Sequence, residues 1–372
     1  MKKTNERPPI LVLSNSNIAL YTQRKETLEA LCQIYDVTVS SNDDGFLDEL
    51  VSLGLTFIPA NFKRRQINIF SEFFLMMHYF FLLLKLKPVA VLTFSIKPTI
   101  YGNLISRILR IPTFTSITGL GDTFIKTGIL SRIVNLLYRF SLKKTKTIVF
   151  ENEEDINIFK SLKIIKNQDV LLFPGAGVNL STFTPEPYPT SEKTIFLYIG
   201  RYMQTKGIIE LLQATRRLKN VYLNSFELHL MGFAEEDLED EVQSAISDGI
   251  IVNLGFQKDV RPFIKESHVI ILPSYKEGMA NVLLEGGAMA RPLIATNVSG
   301  CREIIDNGTT GFLCEPRDTL SLYTAMEKFL QLDLSQKKSM GLQSRKKIER
   351  SFDRTIVVNR TLENLQKIRR GL

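Results

Sequence analysis

Short, continuous apolar runs alternate with helix-length stretches along the whole chain. Residues 10–13, 35–40, 55–59, 89–95, 112–117, 147–151 and 170–174 read as strands. Segments 23–32, 99–110, 131–141 and 153–162 fall between them with helical spacing. A strand that is apolar at successive rather than alternate positions is covered on both faces, and strands joined by helices form parallel sheets. Residues 182–193 break the rhythm with Pro185, Pro187 and Pro189 among Thr, Glu and Ser, the best linker candidate. The alternation then restarts with strands at 194–200, 226–232, 250–255, 269–273 and 292–296 and helices at 207–219, 235–247 and 281–290. The pattern predicts two doubly wound domains, whose ligands bind beyond the carboxyl ends of the strands in an interdomain cleft. The boundaries read as 1–185, 186–350 and a terminal helix at 351–372 that packs back on the first domain.

One segment departs from the pattern. From Phe73 to Leu84 the only clearly polar residue is His78. The run is shorter than the roughly 20 residues a spanning helix needs, and it lacks the single stripe of a helix packed on one sheet face. Two readings follow: a helix buried on both sides, or an interfacial helix docked on anionic lipid. Lys63, Arg64 and Arg65 precede it and Lys85 and Lys87 follow, the flanks that the second reading would use. His78 fits a packing or snorkelling role.

The 372 residues carry 44% hydrophobic and 23% charged side chains, the profile of an ordinary globular protein. The net charge of +8 is uneven: residues 1–185 hold 22 Lys and Arg against 15 Asp and Glu, the remainder 25 against 24. The basic half suits an anionic surface. Zinc-finger spacing and basic helices interleaved with aromatics are absent from the sequence, so nucleic acid is not an expected partner. The three cysteines, Cys32, Cys301 and Cys314, match neither a disulfide framework nor a zinc site and point to a reducing compartment. The apolar run at 10–13 is too short for a signal-peptide core, so the expectation is a cytoplasmic protein, peripheral on the inner face of the cell membrane.

The chemistry concentrates in two stretches. In the first, Gly200-Arg201 through Lys206-Gly207 follows a strand directly. An arginine fork and a lysine point charge there would bind a diphosphate and stabilise its departure without metal. In the second, a strand at 269–272 leads through Glu277-Gly278 into a helix near Asn281 that carries Glu285. Its helix N-terminus offers N–H donors to an anion. Eight residues of continuous helix would separate Glu277 from Glu285 by about 12 Å, farther than the roughly 5–9.5 Å of glycosidase carboxylate pairs. The pair suits the two ends of an extended ligand, sugar at one and ribose at the other. The acidic run from Glu235 to Glu241 reads as a solvated helix face, and His229 and His268 read as structural.

Gly200-Arg201, Lys206-Gly207, the stretch from Glu277 to Glu285, Arg291-Pro292, Gly300-Cys301-Arg302-Glu303 and Gly311-Phe312-Leu313 together resemble glycosyltransferase family 4. In the first half, the stretch 93–102 and Thr118-Gly119-Leu120-Gly121 resemble a bacterial branch that adds galactose-type or N-acetylhexosamine residues to polyprenyl-diphosphate-linked sugars. The resemblance implies a GT-B fold and a retaining hexosyltransferase. It implies a UDP-sugar donor, a polyprenyl-diphosphate-linked saccharide acceptor and no metal cofactor. It assigns Arg201, Lys206 and Glu277 to catalysis, and Gly200, Gly278, Met279, Asn281, Glu285 and Phe256 to the donor. Lys97, Thr118 and Gly119 fall on the acceptor side. A hydrolysing nucleotide-sugar epimerase and a non-catalytic nucleotide-sugar-binding subunit share these features in part.

Two departures stand out. The loop Ser14-Asn15-Ser16-Asn17 lacks the paired glycines many relatives carry. Gly286-Gly287 interrupt a helix at about 0.5–1 kcal/mol each relative to Ala, a cost that close packing against the cleft would have to offset.

Overall fold

A computed structural model describes residues 7–62, 68–120, 128–235 and 238–370. Lys2, Lys3, Lys63, Arg64, Arg65, Gly121, Glu236 and Asp237 lie outside them. The chain divides into two compact units, one of Met1–Ala176 with Arg354–Leu372 and one of Gly177–Asp353.

The first unit alternates β1 (Pro9–Leu13), α1 (Asn17–Ile34), β2 (Asp36–Ser41), α2 (Leu47–Val51), β3 (Thr56–Pro59), α3 (Ile69–Leu86), β4 (Ala90–Phe94), α4 (Ile96–Ile108), β5 (Thr113–Ile117), α5 (Ile129–Ser141), β6 (Thr147–Phe150), α6 (Glu153–Ser161) and β7 (Asp169–Leu172). The second contains β8 (Thr194–Ile199), α7 (Ile208–Tyr222), β9 (Phe226–Met231), α8 (Glu239–Ser247), β10 (Ile251–Gly255), α9 (Arg261–Glu266), β11 (Val269–Leu272), α10 (Asn281–Ala288), β12 (Leu293–Thr296), β13 (Gly311–Cys314), α11 (Thr319–Gln331) and α12 (Leu334–Ser351). A last helix, α13 (Arg354–Arg370), belongs to the first unit.

Both sheets are parallel between every recorded pair. Their strand orders are β3-β2-β1-β4-β5-β6-β7 and β10-β9-β8-β11-β12-β13. Every residue of β4, β5, β6, β11 and β12 is buried. That double coverage is why these strands lack alternation in sequence. Each order reverses once, between β1 and β4 and between β8 and β11, and a crevice opens outside the carboxyl ends of the strands at such a reversal. Each unit is a Rossmann-like domain, the pair of domains that a GT-B fold requires.

The expected boundary at 185 moves to Ala176–Gly177. Residues 182–193 are part of the second unit, because buried arginines hold their carbonyls. Arg345 donates to Phe183 O at 2.7 Å, and Arg291 donates to Glu186 O at 3.1 Å and Pro187 O at 2.9 Å. The terminal helix starts at 354 rather than 351. Val357, Leu365 and Ile368 join the core around β1, β2 and α1, and Arg354 pairs with Glu26 at 2.7 Å.

The helix α3 is longer than its apolar run and is not buried on both sides. Leu75, Tyr79, Leu82 and Leu83 pack into the core with Leu11, Leu13 and Val91, while Ile69, Phe70, Phe73, Phe74, Phe81 and Leu84 face outward. The sequence concealed this because both faces are apolar. His78 is half-buried, with Nε2 3.0 Å from Ser40 Oγ, and burial lowers its pKa.

His268 is structural. Its Nδ1 accepts the Ile195 N–H at 3.0 Å, and its carbonyl accepts the Tyr188 hydroxyl at 2.9 Å. Burial first, then the charges of Lys337 and Arg291, push its pKa down to about 4. The folded state therefore favours the neutral ring. Its contribution to stability is complete above about pH 6.5, the unfolded value, and is lost as pH falls through 4. The urea midpoint of the wild type should fall across that window. His268→Asn, whose amide oxygen keeps the acceptor, should fall less steeply, and equal slopes would contradict this assignment.

Candidate active site

The second unit places its two chemistry-bearing loops on adjacent strands, β8 and β11, at the reversal of strand order. After β8 the chain passes Gly200 and Arg201 into a short 3-10 turn, Gln204–Lys206. At Gly207 it enters α7 with φ of +72°. A Cβ on Gly207 would lie 2.1 Å from the Pro273 carbonyl oxygen, so only glycine lets the two loops touch. The Tyr275 N–H donates to Thr205 O at 2.9 Å and joins the loops again. The result is a direct contact between two residues 71 apart in sequence: Lys206 Nζ donates to Glu277 Oε1 at 2.5 Å. Both side chains are mostly covered, at 20% and 13% exposed.

Arg201 is held from the other side. Its guanidinium donates to the Glu235 carboxylate, and its carbonyl accepts the fully buried Tyr198 hydroxyl at 2.7 Å. This corrects the reading of the acidic run as one solvated helix face. The helix α8 begins only at Glu239, and Glu235 sits in the loop before it with its carboxylate on Arg201. The spacing from Arg201 carried no signal for this partnership.

Glu277 is not on the helix that carries Glu285. It stands in the loop 273–280, and α10 begins at Asn281, so the rise of a continuous helix does not measure the separation of the two carboxylates. Glu285 lies in the middle of α10. The N-terminus of α10 has no side-chain cap, leaving its first N–H groups for a ligand. Among the described residues, Asn281 Oδ1 and Ser274 Oγ are buried there without a hydrogen-bond partner. Buried polar atoms of this kind accumulate where a ligand completes the network. Met279 is buried, and its neighbour Ala280 donates its N–H to Gly300 O at 2.9 Å.

The loop after β12 supports this turn from below. Gly300 has φ of +84°, and a Cβ there would meet the Gly278 carbonyl oxygen at 2.6 Å and Glu277 Cβ at 2.9 Å. Glu303 fixes Gly300 by accepting its N–H at 2.7 Å, and Thr296 donates its hydroxyl to Ser274 O. The motif from Gly300 to Glu303 thus shapes the Glu277 loop.

Gly286 and Gly287 have a packing explanation, though not against a cleft. A Cβ on Gly286 would come within 2.4 Å of Ile270 Cγ1 on β11, and one on Gly287 within 2.8 Å of Ile348 Cγ1 on α12. Helix propensity alone says that Gly286→Ala stabilises by about 1 kcal/mol. Overpacking a filled core costs about 1–3 kcal/mol, so the variant should melt below the wild type. A higher melting temperature would contradict the contact.

Phe256, after β10, is exposed and meets the equally open Phe233 edge-on at 6.3 Å between ring centres. Phe233, like Glu235, went unrecognised in the sequence. In the first unit, Lys97 starts α4 after β4, and Thr118 and Gly119 follow β5. Lys97 is paired to Glu72 of α3 at 2.6 Å, so its charge is partly matched within the fold. The glycine-free loop after β1 is held by the loop after β2. Asp44 Oδ1 accepts the Asn17 and Ile18 N–H groups at 2.7 and 3.1 Å, occupying the α1 N-terminus with an internal carboxylate. Among the described residues, no three His, Cys, Asp or Glu cluster as a metal site would require. All three cysteines are buried thiols, and burial pushes Cys314 up to about 12.

Comparison with known proteins accords with this geometry. Residues 193–332 match the family described as Glycosyl transferases group 1, and residues 9–152 match Glycosyl transferase 4-like. An N,N'-diacetylbacillosaminyl-diphospho-undecaprenol alpha-1,3-N-acetylgalactosaminyltransferase from Campylobacter jejuni is 25% identical over 340 residues, 86% of this chain and 88% of that protein. A UDP-Gal:alpha-D-GlcNAc-diphosphoundecaprenol alpha-1,3-galactosyltransferase from Escherichia coli is 24% identical over 78% of this chain and 79% of that one. Among solved structures, sucrose-phosphate synthase from Thermosynechococcus elongatus superposes with a TM-score of 0.80 at 18% identity, covering 98% of this chain and all of that one (100%). HepE from Anabaena, in complex with UDP and glucose, superposes at 0.79 and 15% identity, covering 96% and 99%. At these identities the superpositions establish the fold.

Proposed function

We propose that the chain, whose two halves match glycosyltransferase family models, is a family 4 enzyme that moves a hexose or N-acetylhexosamine from a UDP-sugar to a polyprenyl-diphosphate-linked saccharide during surface polysaccharide or glycan assembly. The observation that carries the reading is the contact of Lys206 with Glu277 across the β8–β11 reversal, beside Arg201 and the uncapped start of α10. The two cations and the helix N-terminus provide for a diphosphate, and the carboxylates of Glu277 and Glu285 provide for sugar and ribose hydroxyls. The Phe233–Phe256 pair offers a surface for the base. The first unit takes the acceptor, with Lys97, Thr118 and Gly119 on its side. The similarity to two enzymes named for diphospho-undecaprenol-linked substrates supports that acceptor class, and the proposed reaction runs at the cytoplasmic face of a membrane.

In the proposed reaction the bond from the anomeric carbon to the β-phosphate oxygen breaks. The acceptor hydroxyl attacks from the same face, and its proton passes to the leaving phosphate. Arg201 and Lys206 stabilise the charge on that phosphate in the role a metal ion fills elsewhere, so activity should survive EDTA. The test is UDP release from a panel of UDP-sugars with and without a polyprenyl-diphosphate disaccharide. The proposal predicts release that requires both substrates. A free epimerised sugar formed from UDP-N-acetylglucosamine alone would replace it with the hydrolysing epimerase reading.

A further inference from the structure

The first unit exposes apolar side chains on a second helix beside α3. In α5, Val134, Tyr138 and Ser141 are buried. Ile129, Leu130, Ile133, Leu136 and Phe140 are all about half exposed or more, with Ile129 at 78%. Positions 129, 133, 136 and 140 form one stripe along the helix. The outward face of α3 shows the same character, with Phe70 at 76% and Phe74 at 69% exposed. Both helices pack against α4, which lies between them and ends in the exposed Ile108. Contiguous exposed apolar surface on this scale marks an interaction site.

Charge identifies the occupant. Residues 68–120 and 128–146, which include all three helices, hold ten Lys and Arg and a single acid. That acid, Glu72, is paired inside the fold with Lys97. Apolar stripes set among this excess of cations fit a bilayer with anionic headgroups.

Topology sets the orientation. Every helix between parallel strands starts at a strand's carboxyl end. Ile69, Phe70, Ile129 and Leu130 therefore lie toward the edge that carries Lys97, Thr118 and Gly119. Lys85, Lys87, Arg110, Lys143 and Lys144 lie toward the opposite edge.

We propose that α3 and α5 together form a two-helix docking surface for an anionic lipid bilayer, lying along it with their apolar stripes inserted and the cations at their C-terminal ends against the headgroups. The inference extends the lipid-linked-acceptor reading and names the surface that would meet the lipid. The helix α3 takes part as an interfacial element. Its 18 residues have a mean hydropathy of 1.6, but its inner face is committed to the core and to the Glu72–Lys97 pair.

The test is flotation of the full chain with phosphatidylcholine vesicles, with and without phosphatidylglycerol, for the wild type and three double variants. These are Phe70→Ser with Phe74→Ser, Ile133→Ser with Phe140→Ser, and Lys143→Glu with Lys144→Glu. The wild type should float with phosphatidylglycerol and release in high salt. The two apolar variants should bind about tenfold less or weaker still, given the area each exposed side chain would bury, and the charge reversal should weaken binding through lost attraction to anionic headgroups. Transfer to a water-soluble short-chain acceptor should persist in all three. Undiminished binding of the α5 variant would overturn the two-helix surface, as would flotation indifferent to lipid charge. A wild type that sediments as a dimer and is made monomeric by these changes, with vesicle binding intact, would assign the surface to a second copy instead. Vesicle binding as described, without transfer to any lipid-linked acceptor, would uphold the docking surface and sink the acceptor reading alone.

Discussion

Lys206→Ala should lower turnover by about 10²–10³-fold, the loss typical when one preorganised group that stabilises developing charge is removed. Lys206 donates to Glu277 Oε1, and its ammonium has two further protons to direct at a leaving phosphate. The charge matters most as the anomeric bond breaks, so kcat should fall more than KM rises. The fold should survive the change. The pair is mostly covered, so its loss should cost more than the roughly 0–1 kcal/mol of an exposed pair yet less than the roughly 3–5 kcal/mol of a fully buried one. Steady-state kinetics beside a urea melt checks both halves. A variant of normal turnover would remove Lys206 from the chemistry, and one that unfolds would make it a structural residue.

The second large effect concerns stability. Arg291 is fully buried, and its guanidinium shares its five N–H donors among six carbonyls: Ile264, Lys265, Glu186, Pro187, Met289 and Ala290. It joins α9, the segment before β8 and the end of the helix that bears Glu285. Burial lowers its pKa to about 10, so it remains charged at neutral pH. In Arg291→Met the packing volume is roughly kept and the donors are gone. Each buried carbonyl left without a donor costs about 1–3 kcal/mol, so stranding only two removes about 2–6 kcal/mol of a domain's roughly 5–15. The second unit should unfold at markedly lower urea, as an earlier transition in a chain with two units. Arg291→Lys should not restore it, because a point charge cannot span the positions a planar fork reaches. An unchanged midpoint would contradict the role.

The sequence is most readable where one physical rule acts alone. The buried parallel strands declare themselves because coverage of both faces leaves no polar position, and the observed ends fall within a residue or two of those expected. The strand β13 was not recognised because its four residues include partly exposed Phe312 and Leu313 at the sheet edge. The surface of α5 was hidden for a different reason. Periodicity reveals a stripe but not which way it faces, and here the apolar stripe points outward while Val134, Tyr138 and Ser141 point in.

The active-site residue types were legible in their motifs, but their partners were not. Glu235 on Arg201 and Glu277 on Lys206 are contacts across 34 and 71 residues that exist only because of strand order. The motif glycines Gly207 and Gly300 received no assigned contact in sequence. In the fold they are positions where one backbone touches another.

Whether the proposed sugar transfer proceeds with retention is read most directly from the anomeric configuration of the product. A UDP-hexose or UDP-N-acetylhexosamine that passes the donor screen would be incubated with a short-chain polyprenyl-diphosphate disaccharide. Proton NMR would follow the newly formed linkage before any further reaction. The account predicts an α-linkage from an α-configured donor, formed by the wild type and nearly absent with Lys206→Ala. A β-linkage, or an α-linked product formed equally well by that variant, would contradict it.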